Sequence, residues 1–153
     1  MQTEAMPTAG LFEGRVHWLG VRIYYEDTDF SGVVYHANYL RYCERARSDF
    51  FRLAGIHHAE LAARPDALAF AASELRVRFL RPARIDDALS IRTTFEDLRG
   101  ARMTARQTVL RGDQTLAELE ITVALIGADG RPRRPPADLV ARLRPYLAPE
   151  PTA

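Results

Sequence analysis

From Leu19 the chain alternates, with Val21, Ile23 and Tyr25 on one side and Arg22 and Tyr24 on the other. That period of two predicts a half-buried strand. From about Asn38 the period lengthens to that of a helix. Tyr39, Cys43, Ala46, Phe50 and Leu53 make one apolar stripe, while Arg41, Glu44, Arg45, Ser48 and Arg52 lie away from it. Gly55 marks the stop, and residues 57–65 suggest a further short helical turn. Strands then take over. Leu75, Val77 and Phe79 alternate with Glu74, Arg76 and Arg78; Leu89, Ile91, Thr93 and Phe95 alternate with Ser90, Arg92, Thr94 and Glu96. After a turn at Arg99 and Gly100, Met103, Ala105 and Val109 share a face. After a second turn at Gly112 and Asp113, Ala117, Leu119, Ile121, Val123 and Leu125 do the same, and Asp129-Gly130 closes that strand. A proline-containing stretch precedes a short amphipathic segment through Val140, Leu143 and Leu147.

A strand, a long helix and then strands joined by tight turns predict an antiparallel sheet of about five strands wrapped around one helix, an α+β solution. Residues 1–15 read as a flexible arm, 16–147 as one domain and 148–153 as a flexible tail. No repeat and no second domain boundary interrupt the pattern.

Composition narrows the function classes. A chain of 153 residues with 47% hydrophobic and 27% charged positions is an ordinary globular domain. A formal net charge of +1 provides no field for nucleic acid or a membrane surface. All 21 basic residues are arginine. The longest apolar run, around residues 68–72, is far short of a membrane span. One cysteine, Cys43, rules out an internal disulfide and suits a reducing compartment, so the expected location is cytoplasmic.

The candidate chemistry sits where the first strand gives way to the helix, in YYEDTDFSGVVYHANYL. Asp27, Asp29, Ser31 and Gly32 match the start of a calcium loop, but position twelve falls on Asn38 and no helix leads in. A transition-metal site from Asp27, Asp29, His36 and His57 or His58 lacks a ligand spacing. No metal is therefore expected. Gly32 permits a sharp bend, after which amides near Tyr35 and His36 would stand unpaired in the first helical turn. Such amides suit an oxyanion formed in acyl transfer, and Asp29 across the bend could attack or activate water. The same residues also suit a plain turn capped by Asp27 and Asp29; residue types alone leave both readings open. Tyr39 and Tyr42 read as helix packing, and Cys43 as a small core residue.

The run VRIYYEDTDFSGVVYHANYLRYCERAR resembles the acyl-CoA thioesterases linked to the bacterial Tol-Pal system, in the 4-hydroxybenzoyl-CoA thioesterase group of the hot-dog fold. The group's motif, D-x-D-x-x-G-x-V followed by Tyr or Trp, then His or Tyr, and a Tyr three residues on, is met by Asp27, Asp29, Gly32, Val34, Tyr35, His36 and Tyr39, and similarity continues through ELRVRFLRPARIDDALSIRT and LRGAR. The resemblance implies a hot-dog sheet around its helix, assembly as homodimers or homotetramers, and active sites between subunits. It implies an acyl-CoA thioester hydrolase needing no cofactor, coenzyme A being part of the substrate. Asp29 matches the catalytic carboxylate, and His36 the position whose backbone N–H polarises the thioester carbonyl. Gly32, Val34 and Tyr35 match the loop shaping the acyl pocket. Arg99 and Arg102 are placed to meet the coenzyme phosphates, with Arg81 or Arg84 assisting. Phe30-Ser31 departs from the smaller pairs of the family, which leaves acyl length open. Other readings are a non-catalytic acyl- or CoA-binding module, with envelope or lipid-synthesis proteins as partners, and a hot-dog dehydratase using His36.

Overall fold

The computed structural model describes residues 5–149, so residues 1–4 of the expected arm and 150–153 of the expected tail lie outside it. In chain order the elements are β1 (Leu11–Glu13), β2 (Val16–Arg22), a 3-10 turn (Tyr25–Asp27), α1 (His36–Leu53), α2 (His58–Ala62), β3 (Leu68–Phe79), β4 (Ala88–Glu96), β5 (Arg102–Arg111), β6 (Gln114–Gly127), α3 (Ala137–Leu143), a second 3-10 turn (Arg144–Tyr146) and β7 (Leu147–Ala148). The sheet order is β1-β2-β4-β5-β6-β3, antiparallel throughout, with β7 parallel beside β4. Five long strands carry the sheet and α1 packs on one face. This is the α+β hot-dog arrangement.

Helix α1 forms because its apolar side chains recur on one face. Tyr39, Cys43, Ala46 and Phe50 are buried as the stripe predicts, joined by Tyr42 and Phe51. Leu53 is a correction. It is 37% exposed, because the helix ends there and Phe51 takes the place facing the sheet. The stop at Gly55 is a Schellman arrangement, with φ +84°: Gly55 N–H donates to the Arg52 carbonyl and Ile56 N–H to that of Phe51. Buried Ile56 and Phe51 provide the apolar contact that accompanies it.

β3 begins at Leu68, six residues before the predicted alternation. A bulge at Ser73 shifts its register against β6, between the pairs Ala72↔Val123 and Glu74↔Thr122. The extra residue flips the phase. Phe70 before it and Val77 and Phe79 after it therefore share the helix side. β3 has β6 on one side only and forms the end of the sheet.

The segment read as a flexible arm is structured from β1 onward. Phe12 stacks on Tyr146 at 4.3 Å between ring centroids and meets Phe50 edge-on at 4.8 Å. Gly10 N–H donates to Asp49 Oδ2 at 2.9 Å, and the same oxygen lies 2.7 Å from His17 Nε2. A β-carbon at Gly10 would meet the Trp18 carbonyl at 2.2 Å, so only glycine lets the chain pass so close. Burial pushes the His17 pKa down against the opposing effect of Asp49. A three-residue strand docked by one aromatic ring carries too little periodicity to be seen in the sequence. At the other end, Ala148 of the expected tail belongs to β7.

Candidate active site

Between β2 and α1 the chain makes a small hairpin held by one carbonyl. Asp27 O accepts from Tyr35 N–H at 2.9 Å and from Asn38 Nδ2 at 2.8 Å, while the Asp27 carboxylate accepts Tyr24 N–H at 2.7 Å. Thr28 and Val34 bridge across the hairpin. Asp29 N–H donates to Val33 O, and Gly32 N–H donates to Asp29 O at 3.0 Å, with Gly32 at φ +83°. A side chain at that φ would be strained.

The bend presents the Asp29 carboxyl to solvent. Its Oδ1 accepts from Ser31 Oγ at 2.5 Å and from Ser31 N–H at 2.8 Å. The Ser31 hydroxyl first, then the Ser31 amide, the Val33 contact and nearby His36, hold the Asp29 pKa below the ordinary carboxylate value. Ser31 therefore favours the ionised form and fixes the direction of the carboxyl, a role not foreseen from the sequence; an Asp followed two residues on by a Ser signals such a turn. Replacing Ser31 by Ala removes the larger of these effects, so the Asp29 pKa must rise. The acid limb of a pH–rate profile that depends on ionised Asp29 is then expected to move to higher pH, measured as kcat/KM between pH 3 and 7. An unmoved limb would assign it to another group.

On the other side of the bend the first turn of α1 offers its amides. Tyr35 N–H is not among them, being bonded to Asp27 O; this corrects the expectation that it stood unpaired. The amides of His36 and Ala37 have no acceptor among the described residues. The His36 imidazole is exposed, with its ring 4.6 Å from Tyr35 and 6.1 Å from Phe79.

Beside these amides lies an open cleft of about 280 Å³ lined by Val34, His36, Tyr39, Phe79, Arg81 and Pro82, among others. Its far wall is latched to the helix. Val34 N–H donates to Ala83 O, and Ala83 N–H donates to the Tyr39 hydroxyl at 2.9 Å. Tyr39 is thus a packing residue that also fixes the cleft. The walls from Phe79 to Pro82 come from more than forty residues away in sequence, and no local pattern signals them. Asp29 is not one of the residues lining the cleft. Phe30 is fully exposed, so its ring does not enter the core. Burial pushes the Cys43 thiol up to about 12, consistent with an inert core cysteine.

Arg99 and Arg102 are not brought to this cleft within one chain. They close the β4–β5 turn through paired backbone bonds. Arg102 pairs through Ala124 with Ala71 of β3, eight residues from Phe79, or roughly 25 Å along the sheet. Arg84 lies in the loop to β4, its N–H bonded to Asp87, and Arg81 lines the cleft. No group of three or more metal-ligating side chains occurs among the described residues, and no described helix is long and apolar enough to cross a membrane.

A family model described as the thioesterase-like superfamily matches residues 23–143. The acyl-CoA thioester hydrolase YbgC of Escherichia coli O6:H1 is 36% identical over 126 residues, covering 81% of this chain and 92% of that protein. The crystal structure of a probable thioesterase from Bartonella henselae superposes with TM-score 0.76 at 42% identity, over 79% of this chain and 99% of the other. A 4-hydroxybenzoyl-CoA thioesterase mutant complexed with 4-hydroxybenzoyl-CoA superposes with TM-score 0.74 at 22% identity, over 84% and 98%, a likeness of fold.

Proposed function

The chain belongs to the thioesterase-like superfamily and is a thioester hydrolase, and from that premise we propose that it cleaves acyl-CoA with Asp29 as the reacting acid and the His36 and Ala37 amides as the oxyanion site. The observation that carries the reading is the bend at Gly32: an ionised carboxylate on one side, unpaired helix N-terminal amides on the other. The thioester carbonyl oxygen accepts from those amides, so the negative charge growing on it is met by donors already in place. The acyl carbon then receives either a water oxygen, as Asp29 takes the proton, or the Asp29 oxygen itself, followed by water. In both routes the C–S bond breaks and coenzyme A leaves as a thiolate, which needs no strong acid to protonate it. Gly32, Val34 and Tyr35 shape the entrance, and no cofactor is required.

One chain walls the cleft on one side, and a homodimer completes it. β3 has a free edge of twelve residues at the end of the sheet, with Leu75 43% and Phe79 50% exposed. Such an edge is a template for pairing. Pairing with its own copy about a two-fold axis near Ser73 extends the sheet antiparallel and keeps both helices on one face. Two dimers can assemble further into a tetramer. Arg99 and Arg102 reach the coenzyme phosphates only from a neighbouring subunit, while Arg81 serves from the same chain. We place the enzyme in the cytoplasm, where a free buried thiol and a coenzyme A substrate are both at home.

The test is thiol release from short, long and aromatic acyl-CoAs, with size measured by light scattering. Hydrolysis of at least one by a dimer or larger assembly is expected; no release from any, with acyl-CoA binding intact, would overturn the reading.

A further inference from the structure

Arg47 is a half-buried cation with no direct ion pair among the described residues; Glu44 on the same helix is exposed and acts on it only at a distance. It sits on the face of α1 turned toward β3, and none of the ion pairs among the described residues includes it. Its Nη1 donates to Gln107 Oε1 at 2.8 Å. Gln107 is buried and held in turn, its Nε2 donating to the Cys43 carbonyl and to Thr93 Oγ1, both at 2.9 Å. The guanidinium is therefore fixed from behind, and its remaining donors have no partner among the described residues. They border a cavity of about 130 Å³ walled by Phe51, Phe70, Ala72, Val123 and His58, with Glu44 and Ser48 at the rim. Phe51 and Phe70 are stacked at 4.5 Å. The cavity equals about four water volumes, enough for the end of an acyl group. A buried arginine stays charged, and holding that charge without a direct ion pair costs stability. A planar fork against an aromatic wall suits an oxygen-bearing group.

We propose that Arg47 reads an oxygen, hydroxyl or carboxylate, at the far end of the acyl group reacting at the neighbouring subunit's Asp29. This rests on the dimer and the catalytic role of Asp29 proposed above. With the two-fold near Ser73, Phe70 of one chain stands opposite Val77 of its copy, two residues or about 7 Å from the Phe79 that walls the cleft. The bulge at Ser73 keeps Phe70, Val77 and Phe79 on the helix side, so the two cavities lie on the same side of the extended sheet. The copy's β3 presents Leu75, Val77 and Phe79 on that side; its one acid, Glu74, faces the other way. With Glu44 exposed at the rim and no side-chain acceptor on the helix side of the copy's β3, the substrate is left to supply one inside the cavity.

The experiment compares hexanoyl-CoA with 6-hydroxyhexanoyl-CoA and adipoyl-CoA. The wild type should prefer one or both oxygenated substrates. In Arg47→Met, the ratio of kcat/KM for that substrate over hexanoyl-CoA should fall roughly tenfold to a hundredfold, the worth of a charged hydrogen bond. Arg47→Lys keeps a charge beside Gln107 but loses the fork, and serves if the Met variant does not fold; about a threefold or greater fall is expected. No wild-type preference, an unchanged ratio in either folded variant, or an equal loss on all three substrates overturns the proposal. Mixed dimers of Asp29→Asn with Arg47→Met subunits locate the residue. Shared sites leave one site with both native residues, so oxygenated turnover returns; failure to return overturns the cross-subunit placement. Turnover surviving in Asp29→Asn alone would instead refute the parent reading, while the Arg47 ratio is still read on its own.

Discussion

Asp29→Asn is expected to lower kcat/KM for acyl-CoA hydrolysis by about 10²–10⁴-fold, the usual worth of a positioned acid or base. The substitution is nearly isosteric, and the asparagine carbonyl can still accept from Ser31 N–H and Oγ, the contacts that hold the native carboxyl. The bend at Gly32 and the amides of α1 therefore remain as they are, and only the charge and the nucleophilic oxygen are lost. The loss should fall on kcat more than on KM, because the acyl walls are untouched. Asp29 is fully exposed and anchors nothing in the core, so the thermal midpoint should match the wild type. Thiol release measured beside a melting curve separates the two effects. Turnover within threefold of wild type in a folded variant would exclude Asp29 from the chemistry.

Phe50→Ala is expected to destabilise the fold by about 3–5 kcal/mol. Phe50 has no exposed surface and lies at the junction of three parts of the chain. Its ring meets Phe12 of β1 and Phe95 of β4, each at 4.8 Å, and Tyr146 of the C-terminal turn at 6.4 Å. Removing it leaves a cavity bordered by segments that cannot all collapse together. At roughly 2–4 °C per kcal/mol for a domain this size, the midpoint should drop on the order of 10 °C. Leu53→Ala on the same helix is the control, since Leu53 faces partly outward; surface changes of that kind stay within about 0.5 kcal/mol. Equal losses at the two positions would contradict the packing described.

How much of this was legible in the sequence depended on what each element touches. β4, β5 and β6 alternate cleanly because one face meets α1 and the other meets water. The helix was legible from its stripe, although its start was placed at Asn38; His36 and Ala37 add no large apolar side chain to reveal the first two positions. The first half of β3 was missed because residues 68–72 are apolar on both faces and the bulge then resets the alternation. β1 and β7 were too short to show a period. Within the candidate site, Asp29, Gly32 and His36 sit in one local motif, which is why the sequence could nominate them. The Tyr35 amide was misjudged, because its acceptor, the Asp27 carbonyl, is supplied by the folded hairpin. The cleft walls and the cavity at Arg47 join residues distant in sequence, which no spacing rule can foresee.

The extra residue at Ser73 sets where β3 can tolerate a change of length. Losing that one residue would bring Ala72 and Glu74 together against Val123 and Thr122, a regular ladder in which Leu75, Val77 and Phe79 keep the helix side. A single deletion farther along, with the bulge kept, would turn the residues beyond it to the other face. Evolutionary losses of one residue in this strand should therefore gather at the bulge.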